Sequence, residues 1–477
     1  MPRTRGWLAA AAACLVFLPD AAPAGRPAFA APNPTSLCTA PTGPPVPVTP
    51  TTVDTIGQAY RCLLDHYVTG PSLDDRVLLT GAFAGLAQEL ARRRLDRPDA
   101  TAPALHGDRD GDWTAFRAAY RRLTDRLPAD PQVRQAVAAA TLTGLLAGLH
   151  DDHVGWIHPV LPPRYQPGQA YGLGFTTSPL TLVAATAPGV ALPPLFIASV
   201  LGGPAAARGL RPGDVIAAVD GAPPFVDGVP SPGAITLLSQ QYPRADPLRL
   251  TMHRPATGRA WTVTLTPALY SPAPAATTPV TARVVAGHIA DVRLAAFAPG
   301  AADQVRTAVA DLRRSTGPLR GLVLDLRGNA GGAPSEVARL LGGFAHGRTW
   351  SYDCDAADSC TPNRTDDTLP LLNLPLVVLT DRSCASACDA FSAAVKDLRL
   401  GTLVGTRTAG IVSGPANGYL LDDNSLLRIP ARHQKGAAGE IVDGIGVPPD
   451  LQIPLTAHDL STGRDPDLAA ALTLLPH

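Results

Sequence analysis

The sequence predicts an α/β protein with a helical N-terminal region, a small β-rich domain and a C-terminal half of alternating strands and helices. Three observations carry this. Between Thr55 and about Leu149 apolar residues recur at helical spacing, as in VLLTGAFAGLAQELARRRL and VRQAVAAATLTGLLAGL, with polar faces between them. From residue 171 to 270 the period shortens to that of strands: YGLGFTT, TLVAATA, PLFIASVL and GDVIAAVDG, with PAAARGL as one short helical turn. After the Pro/Ala/Thr break SPAPAATTPV, strand-like and helix-like runs alternate, which indicates an α/β core.

Taken in chain order, MPRTRGWLAAAAACLVFLPDAAPAGRPAFA has basic residues, a short apolar run and small-residue cleavage sites. Residues 1–30 therefore read as a secretory signal peptide, with no membrane span in the mature chain. Residues 31–54 are a Pro- and Thr-rich extended leader. The helical region follows at 55–165, ending in HDDHVGWIHP, where Gly155 and Pro159 stop the helix and leave His153 beyond its end. The β domain is placed at 170–270, with LRLTMHRPATGRAWTVTLTP as a hairpin, and the α/β core at 281–477.

Composition narrows the partner. Forty basic and forty acidic residues balance, and the basic ones are scattered, which disfavours nucleic acid and anionic membranes and favours a protein or peptide. Six cysteines remain after residue 30, an even set for an exported chain, so disulfides are the default. Cys354 with Cys360 closes a short loop, and Cys38 with Cys62 ties the leader to the first helix. No His or Cys residues sit at metal-ligand spacing, so neither a metal nor any other cofactor is implied.

Two glycine-flanked or small-residue turns carry chemistry. In GLVLDLRGNAGG (321–332) a buried strand ends in glycines whose N–H groups can face a cavity and hold an anion or oxyanion, although such a turn also serves as a plain connector. In LPLVVLTDRSCASACDAFSAAV a buried strand enters a small-residue turn and a helix. A serine there is either exposed as a nucleophile with N–H groups behind it or simply an N-cap.

The order GLGF, PAAARGLRPGDVIAAVDG, LVLDLRGNAGG, CASACDAF, VGTRTAG and GIGVPPD resembles the C-terminal processing (tail-specific) and tricorn-core family of serine peptidases, over roughly residues 140–475. That resemblance implies a ClpP/crotonase-like β-β-α core with an N-terminal helical region and an inserted PDZ-like β domain. It implies Ser386 as nucleophile, in Ser386-Ala387-Cys388-Asp389, with oxyanion N–H groups from Gly331, Gly332 and Ala387. Ser383 and Ser392 fall outside the pattern.

The general base departs from the processing branch, where a lysine follows the TxG segment; here Ile411 stands at that place. Lys396 and Lys435 are the only lysines, and Lys396 lies three turns beyond Ser386, roughly 15 Å away. Lys435 falls in the loop-like HQKGAAGE. The tricorn-like branch uses a histidine in a pattern similar to LxDxHxG, matched by Leu149-His150-Asp151-Asp152-His153-Val154-Gly155, so His153 takes the base position while His150 and His158 are surface or core histidines. Asp443 stands where those relatives carry glutamate and is expected to orient His153, with Asp152 as the alternative.

Gly172-Leu173-Gly174-Phe175 followed by GLRPGDVIAAVDG resembles a permuted PDZ domain, which implies a nest for a peptide's C-terminal carboxylate. Cys384 and Cys388 flank Ser386. As thiols either is chemically able to attack a carbonyl, but the expected role is a small buried cysteine at each position. The functional expectation is an exported serine peptidase; the alternative is a catalytically silent peptide-binding protein of the same fold.

Overall fold

Four helices follow the leader: α1 (Val53–His66), α2 (Asp75–Arg92), α3 (Arg109–Thr124) and α4 (Pro131–Ala147). They belong to a computed structural model that describes residues 38–42, 46–151, 153–178 and 192–476. The expected signal peptide, leader residues 31–37 and 43–45, and the TLVAATA strand lie outside the described residues. Side chains set the helix starts: the Thr52 hydroxyl accepts the Thr55 N–H, and Asp74 and Asp130 accept the Arg76 and Gln132 N–H groups. A Cβ added at Gly85 would lie 2.2 Å from the Ala140 carbonyl oxygen, and one at Gly144 2.3 Å from that of Gly81. Glycine thus lets α2 and α4 cross backbone to backbone, a contact any larger residue would push apart. The Cys38–Cys62 disulfide holds the leader against α1.

Just past His153 the chain forms a strand that the sequence did not announce, β1 (Gly155–Ile157). It pairs antiparallel with Leu426–Pro430, which pairs in turn with Ala416–Leu420. Tyr419, Leu421, Leu427 and Ile429 of this small sheet are buried in one cluster with Ile56, Leu63 and Phe116 of the helical region. Burial of shared apolar surface therefore joins the first and last parts of the chain.

The middle segment is β-rich. Phe175–Thr177 pairs with Ile197–Val200, and the expected hairpin forms between Leu248–Arg254 and Arg259–Leu265 with Leu248 opposite Leu265. Val215–Val219 adds to it. Leu248, Leu250 and Met252 alternate inward, as a strand with one covered face requires.

The C-terminal half holds a six-stranded sheet in the order Val280–Val285, Ile289–Leu294, Gly321–Asp325, Leu376–Thr380, Gly401–Gly405, Leu451–Gln452. The first pair is antiparallel and the rest parallel. The run ARVVAGHIADVRL forms two strands, because Gly287 (φ +76°) and His288 (φ +59°) reverse the chain between them. Leu322, Leu324, Val378 and Leu403 face the helices Ala301–Thr316, Pro334–Gly342 and Ala387–Asp397. Val323, Val377, Leu379 and Val404 face the other way, onto Ala471 and Leu475 at the C-terminal end of the chain. Both faces being covered explains why these strands read as continuous apolar runs. No helix among the described residues is long and apolar enough to cross a membrane.

Candidate active site

Ser386 ends the turn that leaves the central strand Leu376–Thr380 and directly precedes the helix Ala387–Asp397. Its backbone lies at φ +57°, ψ −119°, a conformation that side chains other than hydrogen resist. Three contacts hold it there. The Ser386 N–H donates to the Ile411 carbonyl at 2.8 Å and to Asp389 Oδ2 at 2.9 Å, and the Ala385 N–H donates to the Asn329 carbonyl at 3.1 Å.

Asp389 is fully buried and also accepts the Gly410 and Ile411 N–H groups, at 2.9 and 3.0 Å. Burial pushes its carboxyl up to about 6, against the pull of the Thr408 hydroxyl and these N–H donors. The sequence pattern contains this acid but says nothing of its task, which is to fasten the TRTAGI segment to the serine turn.

The glycine turn lies against the serine. A Cβ on Gly331 would fall 2.7 Å from Ser386 Cβ and 2.9 Å from the Ala387 nitrogen, and one on Gly332 would fall 2.2 Å from the Phe297 carbonyl oxygen, so only glycine fits at either place. Asn329, fully buried, shapes the turn: its Oδ1 accepts the Gly331 N–H at 2.8 Å and its Nδ2 donates to the Leu294 carbonyl at 3.0 Å. The Gly331 N–H is thus engaged within its own turn. Ala387 opens its helix, where N–H groups have no partner within the helix and face outward with the positive end of the dipole.

His153 comes from the far side of the molecule, yet its Nε2 lies 3.3 Å from Ser386 Oγ, across 233 residues of sequence. Asp151 Oδ1 accepts the His153 N–H at 2.8 Å, and Asp151 Oδ2 accepts the Tyr67 hydroxyl at 3.1 Å. The ring is buried, and burial, with the nearby Arg428 charge, pushes its pKa down to about 4 against the opposing pull of Asp151. The ring is therefore neutral at pH 7. Its Nδ1 accepts the Ser413 N–H at 3.1 Å, which places the proton of the neutral imidazole on Nε2.

Asp443 meets the same backbone stretch as the ring: its Oδ1 accepts the Val412 N–H at 3.0 Å, one residue from the Ser413 N–H that meets His153. Asp152, the alternative, lies outside the described residues. Ser413 was invisible to sequence reading, because it acts through its backbone.

The lysines sit elsewhere. Lys396 Nζ donates to the Pro448 carbonyl at 2.8 Å and pairs with Asp450. Lys435 lies not in a loop but on the strand His433–Gly436, paired with Asp358. His158 bonds the Thr49 carbonyl, and His150 is exposed.

The cysteines beside Ser386 require a correction. Cys384 and Cys388 are buried as expected but are not thiols: the turn brings their Cα atoms to 5.2 Å and the sulfurs form a disulfide, which removes both as nucleophiles. Cys354 and Cys360 are likewise bonded, so the cluster they form with Asp358 is not a ligand set.

In the β domain, the Leu173 carbonyl accepts the Ala205 N–H and the Gly174 carbonyl accepts the Leu201 N–H, at 2.9 and 2.8 Å. Among the described residues Phe175–Thr177 pairs with Ile197–Val200.

Residues 288–453 match the family model of Peptidase family S41, and residues 166–227 match that of the PDZ domain. The chain is 28% identical over 368 residues to the chloroplastic C-terminal processing peptidase of Tetradesmus obliquus, covering 72% of each chain. It is 32% identical over 197 residues to tricorn protease homolog 1 of Streptomyces coelicolor, covering 39% of this chain but 16% of that one. Its fold is similar to that of the photosystem II D1 C-terminal processing protease, at 24% identity and TM-score 0.50, covering 84% of this chain and 93% of that one. It is also similar in fold to mature CPAF complexed with lactacystin, at 13% identity and TM-score 0.53, covering 88% and 96% of the two chains. Residues 288–453 thus form a domain of the Peptidase family S41 type, preceded by a PDZ domain, and the chain is similar to a C-terminal processing peptidase, which marks it as a serine-type peptidase.

Proposed function

We propose that this protein is an exported serine peptidase that cleaves protein or peptide chains, with Ser386 as nucleophile and His153 as general base. The observation that carries this is the 3.3 Å approach of His153 Nε2 to Ser386 Oγ. In the proposed reaction Ser386 Oγ bonds to the scissile carbonyl carbon while its proton passes to Nε2, and the tetrahedral oxyanion is held by N–H groups of Gly332, Ala387 and, if it leaves Asn329, Gly331. Collapse of the intermediate expels the amine, which takes the proton from the imidazolium. Water then hydrolyses the acyl-enzyme by the same route in reverse.

Base catalysis needs the lone pair on Nε2, hence the proton on Nδ1 and an acceptor facing it. The reading therefore requires the Val412–Ser413 backbone to turn its Ser413 N–H away and Asp443 to replace it. The arrangement described above is a resting one. The same Ser413 contact is the observation that favours the second reading, a silent peptide-binding protein. The GLGF segment and the PDZ match support recognition of C-terminal tails, and the chloroplastic relative's name describes such processing. Three disulfides and the N-terminal sequence support export.

A serine-directed phosphonate tests the assignment. Covalent labelling of Ser386 that is lost in His153→Ala supports catalysis, whereas an unlabelled, folded protein that binds peptides establishes the silent reading.

A further inference from the structure

We propose that the Cys384–Cys388 disulfide is a positioning element of the catalytic centre, so that the peptidase is latent while these cysteines are thiols and becomes competent when they are oxidised. The inference rests on Ser386 being the nucleophile. The bond closes a ring of five residues with Ser386 at its midpoint, joining the turn before the serine to the first turn of the helix after it. Such a short ring removes little freedom from the unfolded chain, compared with the 24-residue separation bridged by Cys38–Cys62. Its main consequence is local geometry.

Local geometry is what this turn lacks by itself. Ser386 holds a backbone conformation, φ +57°, that persists only where its surroundings over-determine it. The hydrogen bonds to Ile411, Asp389 and Asn329 act on the backbone from outside; the disulfide acts from within the turn. Cys384 Sγ packs 3.6 Å from Ser392 Oγ, and Cys388 Sγ lies 3.9 Å from the carbonyl of Leu326, the residue just before the glycine turn. One covalent bridge therefore touches the serine turn, its helix and the approach to the oxyanion turn. Both sulfurs are fully buried.

Formation removes two protons and two electrons from the cysteine pair and gives them to a disulfide-bearing oxidant, which leaves as a dithiol. The reverse exchange with a dithiol, through a mixed disulfide, regenerates both thiols.

The test compares the parent, Cys384→Ala/Cys388→Ala and the control Cys354→Ala/Cys360→Ala in three measurements: phosphonate labelling of Ser386, kcat and KM on a generic peptide, and thermal unfolding. The site variant is expected to lose on the order of 10²-fold in kcat and labelling rate, with KM within about threefold and the cooperative unfolding transition retained. The control keeps its activity. Reducing the parent with dithiothreitol should reproduce the loss, reoxidation should reverse it, and reduction should slow the site variant no further. Labelling and kcat within about threefold of the parent overturn the inference, leaving the disulfide a core staple. Should the variant not fold, the parent reduced until thiol counting shows Cys384 and Cys388 free decides: undiminished labelling overturns the proposal, reversible loss supports it. If the oxidised parent is never labelled, the catalytic reading fails and this inference with it.

Discussion

At the scale of single residues, the imidazole of His153 is the most informative group. Its pKa is pushed down to about 4, below the ordinary value of 6.5, mainly by burial. Below pH 6.5 the unfolded chain binds a proton that the folded chain refuses until about pH 4. Stability is accordingly constant in this respect above pH 6.5 and falls as pH drops toward 4, by about 3 kcal/mol in all. If the ring is the base, kcat/KM should have its lowest acid inflection near 4, with a second near 6 from Asp389 that Asp389→Asn removes. An acid limb that His153→Ala leaves unchanged would place the base on another group. His153→Ala should cost at least about 10²-fold in turnover, whereas Lys396→Arg with Lys435→Arg should cost almost nothing. Asp443→Asn, measured the same way, can cost up to about 10⁴-fold if the carboxylate must replace the Ser413 N–H on Nδ1. Asp443→Glu, one methylene longer, should keep or raise activity. A folded Asn variant losing less than about threefold removes Asp443 from the site.

At the scale of elements, legibility followed burial pattern. The strands Gly321–Asp325 and Leu376–Thr380, covered on both faces, showed as apolar runs, and the helices of the N-terminal region showed by their period. What escaped was set by distant pairing. The strand β1 has three residues, and only its partner Leu426–Pro430, some 270 positions away, makes it a strand. Asp389 and Asn329 escaped for a related reason: their tasks are hydrogen bonds to backbone groups that the fold brings to them. The turn containing Ser386 could be located from its small residues, but the Cys384–Cys388 bond could not, since four-residue spacing closes a disulfide only in that particular turn. The glycines of α2 and α4 were also readable only in place. Gly144→Val puts branched carbon where the Gly81 carbonyl stands, and thermal unfolding should show a loss of a few kcal/mol, about 2 or more. A value near zero would mean that α2 and α4 separate freely. Gly233, with open space around it and no positive φ, is the control position.

At the scale of the whole molecule, the PDZ domain is the part whose role is most easily isolated. If the Gly172–Phe175 nest captures a carboxylate, peptides with a free C-terminus should bind more tightly than their amidated forms in a titration of the intact protein, because amidation removes the charge that the N–H groups hold. Equal affinity would leave the domain a structural insert or a lid. The balanced surface charge predicts that this binding depends on salt only through that one local contact.

The pairing of β1 with Leu426–Pro430 also sets a timetable. A polypeptide is made from its N-terminus, so His153 exists long before it has anything to serve. The strand that fixes its position is among the last segments to emerge, and the C-terminal helix Pro466–Thr473, which covers the far face of the central sheet, comes later still. A chain interrupted between residues 386 and 426 has both the histidine and the serine but lacks the strand that pairs beside the histidine and helps hold them 3.3 Å apart. Unfinished or truncated copies therefore lack the assembled Ser386–His153 pair, whatever part of the sheet they have already formed.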